Sequence, residues 1–333
     1  MTDVTRTFGS AGPSGPGGGV PAARLEPGTR LGTRYEIEAL LGEGGMGTVY
    51  RARDLELGRT VALKVIRREM AARPEILERF KREILLASQV THRHVLRLHD
   101  LGVAGEILFI SMQYVEGTDL KTLLRTGGPL PIGRALELAR PLAEALQAAH
   151  DAGVVHRDLK PQNVLIDGEG RPYIADFGIS RSLDSGSTMT ETGAIIGTVD
   201  YMAPEQARGD TPDHRGDIYA FGVMLYEMLT GELPFRAPSP LSVMMKRVHE
   251  TAPGVRRVRP EVPAWLSGIV ARALERDPAL RYQSARDLLH DIDRRRARRA
   301  WKRLLRPRVL LPAAGVLLLA AAALAGARFL RPG

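Results

Sequence analysis

The sequence predicts an α+β fold of two lobes, a small β-rich lobe followed by a larger helical lobe, with one further apolar helix towards the C-terminus. Short strand-like stretches occupy residues 35–113, and longer stretches with helical spacing occupy residues 132–292. Runs of strands followed by runs of helices are typical of the α+β class. Residues 309–327 carry no charge and stand apart from both lobes.

The composition excludes several classes of protein and site. The chain has 333 residues, of which 44% are hydrophobic, enough to bury a sizeable core. It contains no cysteine, which rules out disulfides, thiolate zinc sites and cysteine nucleophiles. The net charge is +9, and nine cations with no acid among them lie between Arg294 and Arg308. The rest of the chain is therefore neutral, and we expect no nucleic-acid partner.

Shifts in composition divide the chain into segments. The first 28 residues are rich in glycine and proline and have no apolar pattern, so we expect a flexible leader. The leader also lacks the basic start and apolar core of a secretory signal. The predicted divisions are the leader (1–28), a small lobe (29–115), a large lobe (116–293), a basic segment (294–308), an apolar span (309–327) and a short tail (328–333).

A glycine-rich hairpin is predicted near the start of the small lobe. After a strand, the chain reads Leu41-Gly42-Glu43-Gly44-Gly45-Met46-Gly47-Thr48-Val49. A lone G-x-G-x-x-G is a weak signal, because dinucleotide-binding folds share it, but in those folds a helix follows the glycines. The β-branched Thr48 and Val49 predict a strand instead. This stretch is typical of a lid whose backbone N–H groups bind phosphates, with an ordinary glycine hairpin as the alternative.

One lysine interrupts the apolar strand predicted at residues 61–65. Lys64 on a mostly buried strand needs an anionic partner, which the α- and β-phosphates of ATP would supply, and Ala62 is expected to line the same site. A helix is predicted over residues 73–89 from apolar residues at helical spacing, namely Ile76, Phe80, Ile84 and Ala87. Glu83 lies beside that apolar face and is the predicted ion-pair partner of Lys64. The alternative for both residues is an exposed salt bridge.

A connector between the two lobes is predicted after the strand at residues 106–113. It reads Met112-Gln113-Tyr114-Val115, and we expect its backbone to hydrogen-bond adenine. Met112 would close the back of the pocket, although a methionine at an ordinary core position would look the same.

A helix predicted over residues 132–150 is expected to form the platform for the loop that follows. Its apolar face is made by Ala135, Leu138, Leu142, Leu146 and Ala149. Pro141 lies inside the helix and removes a backbone donor. We therefore expect a bend or a break there, at a cost of about 3 kcal/mol.

The next stretch, His156-Arg157-Asp158-Leu159-Lys160-Pro161-Gln162-Asn163, resembles the catalytic loop of a protein kinase. Phosphoryl transfer needs a positioned hydroxyl, a bound metal and neutralised oxygen charge. Asp158 can accept the proton of the substrate hydroxyl, Lys160 can reach the γ-phosphate, and the amide oxygen of Asn163 is a hard ligand suited to Mg²⁺. A polar surface loop is the alternative for the tripeptide alone, and the full octet argues against it.

A short hairpin is predicted at residues 164–175, and Asp176-Phe177-Gly178 follows it. The hairpin would bring the Asp176 carboxylate to the Asn163 amide. We predict that these two residues hold Mg²⁺, or Mn²⁺ in its place, against the triphosphate.

A segment rich in serine, threonine and glycine, residues 182–193, precedes Ala203-Pro204-Glu205 and resembles an activation segment closed by an A-P-E element. Its candidate phosphorylation sites are Thr188, Thr190 and Thr192, because a phosphate there could pair with Arg157. A merely solvated loop is the alternative.

A mostly apolar helix is predicted from Asp217 to Gly231 and is expected to be buried at the centre of the large lobe. Asp217 is predicted both to cap this helix and to brace the catalytic loop. Two further amphipathic helices are predicted at residues 265–274 and 285–292. Arg281, between them, is a predicted partner for Glu205.

Together these motifs resemble the eukaryotic-like serine/threonine protein kinases of bacteria over residues 32–293. The glycine lid, V-A-L-K, the helix glutamate, H-R-D-L-K-P-Q-N, D-F-G, G-T, A-P-E and D-I-Y-A-F-G occur in order. The resemblance implies a bilobal protein-kinase fold with ATP in the cleft. It also implies a serine or threonine acceptor on protein substrates, because Lys160 and Thr198 match that branch rather than the tyrosine branch.

The resemblance has two further implications, and the sequence departs from the family pattern at two positions. It implies autophosphorylation at Thr190 and Thr192, and homodimers through the small lobe that promote activation. Gln113 stands where many members have glutamate, which matters little because the connector works through its backbone. Pro141 in the platform helix is unusual for the family.

The apolar span at residues 309–327 is predicted to be a transmembrane helix. Its 19 uncharged residues would form a helix of about 28 Å, close to the thickness of a bilayer's hydrocarbon core. The nine cations precede the span and only Arg328 and Arg331 follow it, so the positive-inside rule predicts a single-pass protein of the cell membrane with its kinase domain in the cytoplasm. A buried soluble helix, and nucleic-acid binding by the cations, are the alternatives.

Two other functions are compatible with parts of the sequence. A nucleotide-binding pseudokinase scaffold would be favoured by a missing catalytic lysine, aspartate or asparagine, and Lys64, Asp158 and Asn163 are all present. A small-molecule phosphotransferase would share the phosphate chemistry but lack the G-T and A-P-E segment that seats a peptide. We therefore expect an active, membrane-anchored serine/threonine kinase.

Overall fold

A computed structural model describes residues 24–45, 47–68, 74–177 and 199–296 of the chain. Within those ranges no helix has the length and apolar character needed to cross a bilayer. Several predicted features lie outside the described residues: Met46, Gly178, Thr198, the candidate phosphorylation sites Thr188, Thr190 and Thr192, and the span at 309–327.

The small lobe is built around a six-stranded antiparallel sheet with the strand order β1-β2-β3-β4-β6-β5. The strands are β1 (Arg30–Leu31), β2 (Tyr35–Gly44), β3 (Gly47–Asp54), β4 (Arg59–Ile66), β5 (Leu98–Ala104) and β6 (Ile107–Gln113). The helix α1 (Pro74–Ser88) packs on this sheet through Phe80 and Ile84, which contact Ile66 and Ile110. The register places Lys64 of β4 opposite Val49 of β3.

The glycine hairpin between β2 and β3 passes very close to the neighbouring strand β4. A Cβ added to Gly47 would lie 1.9 Å from the carbonyl oxygen of Val65, a distance that no side chain could tolerate. Glycine is therefore required at position 47 for the hairpin to lie over the sheet. The pairing of Glu43 with Thr48 and of Gly44 with Gly47 carries the ladder up to the turn.

The large lobe is mainly helical, with one small three-stranded sheet. Its strands are β7 (Gly117–Asp119), β8 (Val164–Asp167) and β9 (Pro172–Ile174). Its helices are α2 (Leu120–Gly127), α3 (Ile132–Asp151), α4 (Pro204–Ala207), α5 (His214–Thr230), α6 (Pro240–His249), α7 (Val255–Val258), α8 (Ala264–Ala273) and α9 (Ala285–Asp293), with 3₁₀ turns at Pro161–Asn163 and Val199–Tyr201. The predicted two-lobed α+β architecture is confirmed.

Helix α5 is buried from Gly216 to Thr230 and forms the centre of the lobe. It begins one turn before the predicted start, because Asp213 caps it by accepting a hydrogen bond from the backbone N–H of Arg215. Gly231 ends it in the left-handed conformation, with φ of 72°. The prediction that Asp217 caps this helix is therefore wrong. Asp217 lies inside the first turn, where its carboxylate faces the catalytic loop instead.

Helix α3 runs without a break from Ile132 to Asp151 and includes Pro141, so the predicted break at this proline does not occur. Ala139, two positions before the proline, and Leu142, directly after it, are fully buried in the core shared with α5. The missing backbone hydrogen bond is local, whereas the packing extends over the whole length of the helix. Packing therefore holds α3 helical through Pro141.

The predicted pair of Glu205 with Arg281 is present and lies in the interior of the lobe. Arg281 Nη1 and Nη2 donate to the two carboxylate oxygens of Glu205 at 2.7 and 2.6 Å. The remaining guanidinium donors reach backbone carbonyls of Arg215, Glu275 and Arg276. This satisfied network fixes the end of α4 to the chain between α8 and α9.

Glu205→Ala should lower the free energy of unfolding by about 3 kcal/mol, because it leaves the fully buried guanidinium of Arg281 without its counter-charge. Urea unfolding of the purified protein measures this difference. Asp210→Ala is the matched control, since it removes an exposed pair with Arg208 at 3.5 Å and should cost less than about 0.5 kcal/mol. Equal losses in the two variants would contradict a structural role for the buried pair.

Candidate active site

The catalytic loop is held from below by the carboxylate of Asp217. One carboxylate oxygen accepts the backbone N–H of His156 and the other accepts that of Arg157, both at 2.8 Å. His150 Nε2, on α3, donates a third bond to the same carboxylate at 2.9 Å. Two buried helices therefore fix the backbone at the start of the loop, as the brace predicted at Asp217 requires.

His156 is fully buried and connects the loop to the strand β9. Its Nε2 donates to the carbonyl of Ala175 at 2.9 Å, since a carbonyl only accepts, while its Nδ1 accepts the backbone N–H of Asp158 at 3.3 Å. These two partners fix a neutral ring with its proton on Nε2. The ring also packs 4.8 Å from that of Phe177.

Two of the predicted polar residues of the loop, Lys160 and Asn163, bond to the third, Asp158. Lys160 Nζ donates to Asp158 Oδ2 at 2.8 Å. Asn163 Nδ2 donates to the backbone carbonyl of Asp158 at 2.8 Å. The amide nitrogen of Asn163 is thus used within the loop, and no donor among the described residues bonds to its amide oxygen, which remains an acceptor.

Lys64 and Asp176 form the ion pair that joins the two lobes at this site. Lys64 Nζ lies 2.8 Å from Asp176 Oδ2. Burial alone would raise the pKa of Asp176, but the charge of Lys64 and its hydrogen bond outweigh that effect, so the pKa lies below its ordinary value. Asp176 has a positive φ of 61°, a costly conformation for a residue with a Cβ. The ion pair helps to maintain it.

The prediction that Glu83 is the ion-pair partner of Lys64 does not match this structure, in which Asp176 takes that place. Glu83 lies on α1, about one turn after the buried residue Phe80, and its carboxylate is 3.9 Å from the guanidinium of Arg79. Helical spacing places Glu83 on the correct side of α1, but which carboxylate reaches Lys64 depends on how far α1 lies from β4. The sequence does not indicate the distance between α1 and β4.

The predicted nucleotide pocket corresponds to an apolar cluster between the lobes, beside Lys64. Five residues predicted to bind a nucleotide belong to one cluster there: Leu41, Val49, Ala62, Met112 and Val115. The backbone of residues 114–116 pairs with no strand, so its polar groups are available to a ligand. Apolar side chains beside unpaired backbone groups are the lining expected for a flat ring with a hydrogen-bonding edge, such as adenine.

The glycine hairpin, residues 42–47, forms a lid beside this pocket and is called the lid below. Of its described residues, Gly42, Glu43 and Gly44 end β2, Gly45 lies in the turn, and Gly47 begins the return strand β3, followed by Thr48. Gln113 and Tyr114 lie at the other side of the pocket, at the end of β6. The predicted nucleotide-site residues thus lie around one region between the lobes, apart from Met46, which lies outside the described part.

The metal-binding prediction rests on two oxygen donors, the amide oxygen of Asn163 and the carboxylate of Asp176. The two residues are linked through the backbone, because Ala175 N donates to the Asn163 carbonyl at 2.8 Å. Both donors are hard oxygens, which fits Mg²⁺ held jointly with a triphosphate. In the described ranges no cluster of three or more His, Cys, Asp or Glu side chains could hold a metal by itself. A metal here would therefore need the substrate's oxygens as well.

Comparison with known proteins agrees with this geometry. The family model described as "Protein kinase domain" matches residues 35–292. The serine/threonine-protein kinase PrkC of Bacillus subtilis is 40% identical over 265 residues, which is 80% of this chain and 41% of PrkC. PknB of Mycobacterium tuberculosis is 41% identical over 271 residues, 80% of this chain and 43% of PknB. This chain belongs to the bacterial eukaryotic-like serine/threonine protein kinases.

A solved structure supports the same assignment of the kinase fold. The crystal structure of the Mycobacterium tuberculosis PknI kinase domain superposes with a TM-score of 0.65 at 31% identity, covering 82% of this chain and 100% of that domain. The match to curated relatives is limited in length. The kinase spans about two fifths of the PrkC and PknB chains.

Several residues of the kinase site escape prediction from the sequence. Leu165 and Ala175 complete the apolar pocket from the large lobe, and the strand immediately after Asn163 was the signal that could have indicated Leu165. His150 braces Asp217 from α3, but a histidine near a helix end has no distinguishing pattern. Gln206 donates to the carbonyl of Arg157 at 3.1 Å and ties the A-P-E helix to the catalytic loop.

A further residue that sequence reasoning missed is Arg247 on α6. It is fully buried, and its guanidinium donates to the carbonyls of Val199, Asp200 and Met202. Burial lowers the pKa of this arginine. The three carbonyls hold the short turn that precedes the A-P-E helix, so α6 shapes the surface beside the catalytic loop.

Asp217→Asn should lose stability that depends on pH. Burial alone would raise the pKa of Asp217, but the hydrogen bond and charge of His150 and the contacts with His156 lower it on balance. A lowered pKa in the folded state contributes stability that is complete above the ordinary value of 3.8 and is lost as the pH falls through the folded-state value. The difference in urea stability between wild type and Asp217→Asn should be constant from pH 7 to 5 and shrink below pH 3.8.

The control for this titration is Asp151→Asn, whose exposed carboxylate lies 2.9 Å from Arg286. That pair should contribute little at any of these pH values. A wild-type advantage over Asp217→Asn that does not shrink in acid would contradict the role of the ionised carboxylate.

Proposed function

We propose that this chain is an ATP-dependent serine/threonine protein kinase that transfers the γ-phosphate to hydroxyl groups of protein substrates. One observation carries the proposal: Lys160 and Asn163 both donate hydrogen bonds to Asp158 on a braced loop, beside the Lys64–Asp176 pair. A bare nucleotide scaffold has no need for Asp158 or Lys160. Family membership supports the same activity.

In the proposed reaction Asp158 orients the acceptor serine or threonine and takes the proton of its hydroxyl as the oxygen attacks the γ-phosphorus. ADP leaves as the new phosphate ester bond forms. Lys160, 2.8 Å from Asp158, places its ammonium where it can neutralise charge on the transferred phosphoryl group. The neutral His156 and the Asp217 carboxylate position the loop and take no part in the proton transfer.

The nucleotide is proposed to bind with adenine against Ala62, Met112 and Val115 and with its phosphates under the lid. Lys64 would contact the α- and β-phosphates. Asn163 and Asp176 would hold a divalent metal, Mg²⁺ or Mn²⁺, which neutralises the triphosphate oxygens when bound. Asp176 would then exchange its contact with Lys64 for the metal, so ATP binding competes with the ion pair of this structure.

Two regulatory features are proposed from the sequence. Thr190 and Thr192 are the favoured sites of autophosphorylation, because a phosphate on either could be paired by Arg157. Homodimers through the small lobe would bring two active sites together for that reaction in trans. The pseudokinase and small-molecule phosphotransferase alternatives are not favoured, since every catalytic motif and the A-P-E element are present.

Asp158→Asn should abolish autophosphorylation while the affinity for Mg-ATP changes by less than about threefold, because the carboxylate acts on the acceptor hydroxyl and not on the nucleotide. Phosphate transfer is measured with radiolabelled ATP, with the phosphosites mapped by mass spectrometry. Lys64→Met should also inactivate the protein, but by weakening nucleotide binding. If Asp158→Asn kept more than about a tenth of wild-type turnover, its assignment as the base would be wrong.

We also propose that the chain is anchored in the cell membrane by residues 309–327, with the kinase domain on the cytoplasmic side. The support is in the sequence: 19 uncharged residues follow directly on a block of nine cations. Such a span resists both salt and alkali, whereas cations alone would give salt-sensitive binding to anionic headgroups.

The full-length protein should remain with membranes after washes in high salt and in alkaline carbonate. A matched variant that ends at Asp293 should be soluble and should still phosphorylate. Fractionation followed by immunoblotting measures both. Release of the full-length protein by salt alone would reduce the span to a peripheral or soluble helix, and release by nuclease would favour nucleic acid as the partner.

A further inference from the structure

Residues 24–29, called the strap below, run beside the outer strands of the small lobe towards the lid. Gly28 N donates to the Ile37 carbonyl at 2.8 Å, and Ile37 N donates to the Thr29 carbonyl at 2.9 Å. Further along the strap, Leu25 N donates to the hydroxyl of Tyr50 at 3.1 Å, and the Leu25 side chain packs on the core of the sheet. The strap is therefore attached to β2 and β3 along its length.

The strap meets the lid through one bidentate ion pair. Arg24 Nε donates to Glu43 Oε1 at 2.6 Å, and Arg24 Nη2 donates to Glu43 Oε2 at 3.1 Å. This two-point geometry fixes the direction of the carboxylate as well as its charge. The next lid residue is also held, because Arg67 Nη2 donates to the Gly44 carbonyl at 3.0 Å.

The charge of Glu43 makes this contact relevant to a nucleotide. Glu43 is the one charged residue of the lid, residues 42–47. An unpaired carboxylate next to a triphosphate would repel it, whereas a carboxylate paired with a guanidinium presents little net charge. Arg24 also turns the carboxylate towards the strap. The backbone N–H groups of the lid are then the polar groups left to meet the phosphates.

We propose that Arg24 is a positioning residue of the nucleotide site: through Glu43 it neutralises the lid and orients it to receive the triphosphate. The inference rests on the proposed function, because it takes ATP as the ligand. Arg24 contacts no reacting atom. Its effect is therefore confined to ligands that place phosphates under the lid, and it acts only while Glu43 carries a charge.

Isothermal titration of the full-length protein with Mg-AMP-PNP and, separately, with adenosine tests the proposal. Arg24→Ala should weaken Mg-AMP-PNP by about two- to fivefold, the range expected of an exposed ion pair. Its affinity for adenosine, which has no phosphates, should not change. In a Glu43→Gln background the same Arg24→Ala change should have no effect on either ligand. High salt should reduce the wild-type advantage, since both side chains are partly exposed.

Arg30→Ala is the matched control, because it removes an ion pair with Glu36 in the same lobe, at 3.1 Å and with equal arginine exposure, away from the lid. It should change neither affinity. The proposal is overturned if Arg24→Ala binds Mg-AMP-PNP like wild type, or weakens adenosine equally, which would indicate a general effect on folding. It is also overturned if the loss persists in Glu43→Gln. Failure of the proposed function would look different, because wild type itself would then bind no Mg-AMP-PNP or transfer no phosphate.

Discussion

The arrangement of the active site depends on one buried carboxylate, that of Asp217. It is 1% exposed, and burying a charge in a protein interior is costly unless the charge is fully hydrogen-bonded. Three donors satisfy it: two backbone N–H groups at the start of the catalytic loop and the ring of His150. The same bonds hold Arg157 at a positive φ of 66°, a strained value for a residue with a Cβ. The turn that presents Asp158 is thus imposed by the helix beneath it.

The two lobes contribute to the site in different ways. The large lobe supplies Asp158 and Asn163 from a loop fixed by buried hydrogen bonds. The small lobe supplies Lys64 and the lid from its sheet. A backbone contact connects this lobe to the large lobe, because Leu96 N donates to the Ile174 carbonyl at 2.8 Å. The Lys64–Asp176 pair spans the same junction, and under the proposed function a bound triphosphate would compete for Lys64.

The spacing of motifs along the chain predicts most of the site. It fails where the contact depends on how close two separate elements lie in the folded structure. The octet from His156 to Asn163 is local, so its internal contacts follow from the sequence. The partner of Lys64 depends on where α1 rests on the sheet, and Asp176 proved nearer than Glu83. The prediction of a break at Pro141 was wrong for a different reason. A local rule predicts the break, whereas the burial of Ala139 before the proline and Leu142 after it maintains the helix. Both outcomes depend on packing between residues far apart in the sequence, which the sequence alone does not indicate.

The ion pairs of the structure fall into a buried group and an exposed group, and the two groups have different roles. Pairs that define the large lobe, such as Arg281 with Glu205, are buried, satisfied and insensitive to salt. The pair of Arg24 with Glu43 is exposed and bidentate, with 64% and 39% of its side chains accessible. Removing one partner of a fully buried pair leaves an uncompensated charge, so a buried pair suits a fixed structural contact. Under the proposed function the lid would admit ATP and release ADP, which calls for a contact of the weaker kind, and the exposed Arg24–Glu43 pair is such a contact.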